Sequence, residues 1–142
     1  MTDKFSSASS MVIQASPAKV WEALTTPSMV KQWLFGTEVV TDWKKGSPIF
    51  YRGEWEGKPY EDKGVILEIE PEKKFLSTYW SKAFGEDVPE NYQNVGYILE
   101  PQDGGTKLTI TQDNIPNEKT MEHSKKNWDT VLESLKKLLE KA

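Results

Sequence analysis

The chain has 142 residues and a net charge of −4 with the two signs interspersed, which argues against a nucleic-acid partner. The length is that of one ordinary domain; the apolar share is only 37%, but six Trp, five Tyr and five Phe make it bulkier than that figure implies. Without Cys there is no disulfide, thiolate nucleophile or cysteine metal site, in keeping with a cytoplasmic location, and no apolar run approaches the length of a membrane span.

Residues 1–9 carry one Lys and no hydrophobic segment, so they read as a flexible tail, neither a signal peptide nor an anchor. Residues 10–142 read as one domain without repeats, linkers or low-complexity blocks. A short strand is predicted over Ser10–Gln14, with Met11 and Ile13 on one face. Two helix starts follow. Ser16-Pro17 is an N-cap with Pro at the first helical position, burying Val20, Trp21 and Leu24. Thr26-Pro27 repeats the device and buries Met29, Val30, Trp33 and Leu34. Helices this short need neighbours to hold them.

From Thr37 the period becomes twofold. Strands are predicted at Thr37–Thr41, Pro48–Trp55, Tyr60–Glu70, Lys74–Trp80, Tyr92–Glu100 and Thr106–Asp113, punctuated by turn residues such as Lys45-Gly46-Ser47 and Gln102-Asp103-Gly104-Gly105. The connections are too short for parallel crossovers, so the sheet is an antiparallel meander. Alternation puts Val65, Leu67 and Ile69 on the inner face, opposite Glu68 and Glu70. It groups Val95, Tyr97 and Leu99, and sets Leu108, Ile110 and Gln112 against Lys107, Thr109 and Thr111. Leu76, Thr78 and Trp80 read as inward, although Phe75 and Tyr79 make that strand ambiguous. Ser81–Asn91, with Gly85 and Pro89, reads as a loop at one end of the sheet.

The last predicted element is a helix over Glu118–Lys141. At 100° per residue, Met121, Ser124, Trp128, Val131, Leu132, Leu135, Leu138 and Leu139 fall within an arc of about 120°. His123, Lys126, Thr130, Glu133, Lys137 and Lys141 lie opposite. Asn117 serves as N-cap after Pro116, with Glu118 in the first turn. A one-sided helix needs a surface to lie on, and the apolar face of the sheet is that surface. The predicted fold is α+β: a helix-grip arrangement in which the long helix packs across a curved antiparallel sheet of about seven strands.

The segments SPAKVWEALTTPSMVKQWL, GVILEIEPEKKFLSTYW, GTKLTITQDNIP and NWDTVLESLKKLLEK together resemble the START-like (SRPBCC) superfamily. Within it, the chain is most similar to bacterial homologues of the C-terminal domain of the heat-shock-protein-90 ATPase activator. The resemblance runs from about Ser10 to Lys141, with Trp21, Trp33 and Trp128 among its most specific residues. It implies the helix-grip fold. It leaves function open, because the superfamily spans lipid carriers, hormone receptors, cyclases and chaperone cofactors.

A helix laid over a curved sheet leaves a cavity wherever side chains do not fill the space. The inferred inward positions offer Tyr51, Trp80, Tyr97, Gln112, Met121 and Trp128 as an aromatic lining with one amide. The resemblance implies Trp33 at the mouth. The same rings could instead pack against one another as a closed core. Gln112, on an apolar face, needs hydrogen-bond partners, from backbone, water or a ligand. His123 is the only histidine, and its helical phase turns it away from any cavity, which leaves no histidine-based metal site. Glu54, Glu56 and Glu61 sit near a turn or on outer faces, and Asp113 and Asn114 read as turn caps before Pro116. No nucleophile constellation, phosphate loop or nucleotide fingerprint is present, so no catalytic residue, cofactor or metal is assigned.

The reading that fits best is binding of a small hydrophobic or aromatic ligand, lipid-like molecules included, between helix and sheet. A chaperone-associated protein-interaction module, as the resemblance implies, is the alternative. A cyclase- or hydratase-like enzyme is weaker, for want of an acid–base pair.

Overall fold

The computed structural model describes residues 5–34, 36–55, 57–82 and 85–140; Glu56 and Lys141, singled out above, lie outside them. The elements run β1 (Phe5–Ile13), α1 (Pro17–Thr25), α2 (Pro27–Trp33), β2 (Glu38–Val40), β3 (Pro48–Trp55), β4 (Lys58–Glu70), β5 (Lys74–Tyr79), β6 (Gln93–Gln102), β7 (Gly105–Ile115) and α3 (Glu118–Glu140). One seven-stranded sheet in the order β1-β7-β6-β5-β4-β3-β2 carries them, with every pairing antiparallel. The three helices lie on its inner face: a helix-grip α+β fold.

Local chemistry starts the helices as the sequence indicates. The Ser16 hydroxyl accepts a hydrogen bond from the Lys19 amide at 3.3 Å, ahead of Pro17, and Asn117 Oδ1 accepts from the Thr120 amide at 2.8 Å. The indole of Trp33 is 2% exposed and donates to the Ala23 carbonyl at 2.8 Å. That bond ties α2 to α1 and satisfies the one polar atom the ring brings into the core.

β1 starts at Phe5 instead of Ser10, so part of the predicted tail is sheet. Ser7 pairs with Gln112 and Ser9 with Ile110, and Ser9 is buried. Its serines carry no hydrophobic alternation; the backbone of β7 is what orders them. Side chains of α3 brace the same edge strand. Lys125 and Lys136 each donate an ammonium to a β1 carbonyl, those of Ala8 and Val12, at 3.2 Å. Glu140 accepts from the Gln14 amide at 2.8 Å.

Two predicted strand faces are reversed. In β4 the inward residue is Ile66, 1% exposed, while Val65 and Leu67 are 39% and 40% exposed. The register shifts between Ile66 and Glu68. This bulge accommodates Leu67 as an extra residue, so Ile66 and Ile69, three apart, face the same core. In β5, Phe75 and Ser77 point inward, because they stand directly opposite Tyr97 and Val95 of β6. Leu76, Thr78 and Trp80 consequently belong to the outer face.

A Cβ at Gly64 would stand 1.8 Å from the Thr78 carbonyl oxygen, so β4 and β5 approach closely only because this residue has no side chain.

The bulge yields a stability test. Ile66→Ala should cost about 2–4 kcal/mol and Leu67→Ala less than about 1 kcal/mol in urea melts. The reverse ranking would mean the strand is phased as alternation alone suggests.

Candidate functional site

α3 changes character along its length. Toward its C-terminal end, Val131, Leu132 and Leu135 are fully buried against the sheet and fill the groove. Nearer its N-terminus the residues that border the groove are Thr120, His123, Ser124 and Asn127, which are polar or small and do not fill it. The space left between them and the sheet is a cavity of about 660 Å³.

Its wall is largely aromatic. Tyr51, Tyr60, Tyr79 and Tyr97 come from four successive strands, β3 to β6, and Trp128 from α3, with Leu34 and Val95 between them. The rings meet edge to face: Tyr51 with Tyr79 at 5.7 Å between centroids, and Tyr97 with Trp128 at 6.2 Å. Gln112 is buried at the back of the cavity and satisfied by side chains. Its Oε1 accepts from Trp128 Nε1 at 2.7 Å, and its Nε2 donates to Gln93 Oε1. The amide therefore holds the indole in place, with side chains as its partners.

Of the expected lining residues, Tyr51, Tyr97, Gln112 and Trp128 are brought together here. Trp80 is not: on the outer face it stacks on Tyr92 at 6.3 Å, with the Lys63 ammonium 5.5 Å from its ring. The reversed phase of β5 put it there. Trp33 is core, edge-on to Tyr97 at 6.5 Å, and supports that ring from behind. Met121 lies off the wall between Thr120 and His123, which line it along with Ser124. His123, expected on the far side, is an exposed residue at the rim. Hydrophobic phase misplaced it because a helix face bordering a cavity need not be apolar. Its spacing of four and eight residues upstream of Asn127 and Val131 was the available signal.

Asp62 is the group that sequence reasoning missed. With Tyr60 it lines the cavity from β4, in the phase opposite to Val65 and Leu67. The Tyr79 hydroxyl donates to its carboxylate, and Tyr60 shares a hydrogen bond of 2.7 Å with Thr37. Burial raises the Asp62 pKa above the ordinary carboxylate value, opposed by hydrogen bonds from Tyr79 and Ser81. Burial also pushes Tyr51 up to about 12, and Tyr79 and Tyr97 well up, so these phenols stay neutral. The other acidic candidates are elsewhere. Glu54 is exposed, and Glu61 pairs with Arg52 at 2.6 Å on the surface. Asp113 accepts from Asn94 at 2.8 Å, and Asn114 holds the Tyr92 carbonyl at 2.7 Å. Among the described residues, no group of three or more His, Cys, Asp or Glu could hold a metal ion, and no helix is long and apolar enough to cross a membrane.

The raised pKa makes Asp62 a stability reporter. The folded chain holds this proton more tightly than the unfolded one. The group therefore withdraws stability as pH rises through its folded value and restores it as pH falls. Asp62→Asn, which keeps an acceptor for Tyr79, should raise the melting temperature at neutral pH, and the gain should shrink in acid. An unchanged or lowered melting temperature at neutral pH would contradict a half-buried carboxylate whose desolvation outweighs its hydrogen bonds.

Comparison with known proteins agrees with this architecture. Residues 14–140 match the family model described as activator of Hsp90 ATPase homolog 1-like protein. The solution structure of ChR145 from Cytophaga hutchinsonii is 45% identical, with 99% of this chain and 97% of that chain covered and a TM-score of 0.85. The Aha1 dimer from Colwellia psychrerythraea is 24% identical over 96% of this chain and 97% of that one, with a TM-score of 0.77. DynU16, a putative protein in the dynemicin biosynthetic locus, is 21% identical over 96% of this chain and 47% of that one, at 0.79. These last two are too distant to show more than the shared fold. Among curated proteins, none matches. With the family model spanning nearly all of the domain, the chain belongs to the activator of Hsp90 ATPase homolog 1-like family, within the START-like superfamily.

Proposed function

We propose that the protein binds a small, largely apolar or aromatic molecule in the cavity between α3 and the sheet. The observation that carries this is a cleft of about 660 Å³, open at its rim and walled by five aromatic rings, within the range of roughly 300–1,000 Å³ usual for small-molecule sites. A ligand burying about 300 Å² of apolar surface there would gain about 7 kcal/mol before the costs of association. The wall is preset, because Trp128 is held by Gln112 and Gln112 by Gln93. Little ordering is left for the ligand to drive. A cytoplasmic location belongs to the same proposal and rests on the cysteine-free composition.

A second reading is contact with a chaperone ATPase. The family description favours it, as do Val65 and Leu67, both exposed on the outer face of β4. Under that reading the protein should raise the ATPase rate of an Hsp90-class chaperone, and Val65→Ser with Leu67→Ser should remove the effect. An unchanged rate would dismiss it.

The cavity reading is tested by screening aromatic and lipid-like compounds by thermal shift, then following tryptophan emission. Hits should bind with micromolar dissociation constants, and Tyr97→Leu should weaken them about tenfold. Their emission change should vanish in Trp128→Phe and persist in Trp80→Phe. Persistence in Trp128→Phe with loss in Trp80→Phe would put the ligand on the outer face.

A further inference from the structure

The end of the cavity formed by β3, β4 and β5 differs from the rest. Asp62 stands directly across from Tyr51 in the β3–β4 pairing, and Tyr60 precedes it by two residues in the same strand. Tyr79 reaches its carboxylate from β5, with Ser81 beside it. One carboxylate is thus set among three tyrosine rings inside an otherwise uncharged, aromatic space. Among the described residues no Lys or Arg lines the cavity. The nearby bases in the sequence are engaged outside, Arg52 with Glu61 and Lys63 with Asp87. Among the described residues, the only other titratable side chain on the wall besides the tyrosines is His123, on α3.

A half-buried carboxylate whose partners among the described residues are hydroxyl donors is an incomplete pair. Tyrosine faces attract cations through the ring quadrupole. A carboxylate and several rings converging on one space are complementary to an ammonium group. They repel an anion, and they give a neutral hydroxyl only an ordinary hydrogen bond.

We propose that Asp62, with Tyr51, Tyr60 and Tyr79, forms a cation subsite, and that the cavity's ligand is an amine whose protonated nitrogen sits against Asp62 while its apolar or aromatic body fills the space toward Trp128. This rests on the cavity-binding reading and adds to it the chemical class of the ligand. Asp62 is then the residue that determines specificity, and Tyr97 and Trp128 supply unselective apolar contact.

Three probes of matched shape separate the possibilities: naphthylethylamine, naphthylethanol and naphthylacetate, titrated into the protein at neutral pH by calorimetry and by amide NMR. The amine should bind at least about tenfold tighter than the alcohol, and the acetate most weakly. Asp62→Asn should bring the amine to the alcohol's affinity and leave the alcohol within about twofold. In the wild-type protein, independently of how that variant folds, the amine should shift the amides of Tyr51, Asp62 and Tyr79 more than the alcohol does. An alcohol or acetate that binds as tightly as the amine, or an amine preference that survives Asp62→Asn, would overturn the cation subsite while leaving cavity binding in place. No shift at any wall residue with any of the three probes would overturn both.

Discussion

The bond between Trp128 and Gln112 marks the point at which α3 stops being a core helix and becomes the wall of a cavity. On one side of it the helix presents Val131, Leu132 and Leu135, all fully buried. On the other it presents Thr120, His123, Ser124 and Asn127. An indole held by a buried amide is stiffer than one held by packing alone, because rotating it would leave two buried polar groups without partners. The apolar half of the helix thus anchors it, and the polar half can stand clear of the sheet without collapsing onto it.

The cavity has two unlike ends in consequence. Near α3 and β7 the polar groups are neutral and paired with one another, as Gln112, Gln93 and Trp128 are. Near β3 to β5 a carboxylate meets phenols that burial keeps protonated. Neutral phenols can donate to Asp62 but cannot cancel its charge. Whatever enters the cavity meets an apolar middle with an amide at one end and a negative charge at the other.

Much of this was legible in the sequence, and the exceptions have specific causes. β7 read correctly because Leu108, Ile110 and Gln112 alternate cleanly with Lys107, Thr109 and Thr111. β5 did not, since Phe75-Leu76-Ser77-Thr78-Tyr79-Trp80 is bulky on both faces; only its pairing with Tyr97 and Val95 decides it. In β4 the aliphatic run beside Gly64 satisfies either phase, and a bulge at Leu67 switches from one to the other. The two misread phases hid Tyr60 and Asp62 on β4 and Tyr79 on β5, which together make the charged end of the site. The helix-grip fold survived them, because topology depends on where strands start and stop, whereas a binding site depends on which way each side chain points.

The pairing of β1 with β7 joins the two ends of the fold, with Thr106 Oγ1 donating to the Ala15 carbonyl across 91 positions of sequence. Compared with a tight hairpin, closing a loop of that length costs roughly 3 kcal/mol more in chain entropy. The hairpins from β2 to β7 meet no such cost and can form locally. β1 is therefore the strand that joins late and leaves early. The bonds from Lys125, Lys136 and Glu140 to its flank make α3 its companion in that step. The helix and the distant strand it clasps act as one detachable clamp, and opening the cavity by lifting the helix puts the first strand at risk of going with it.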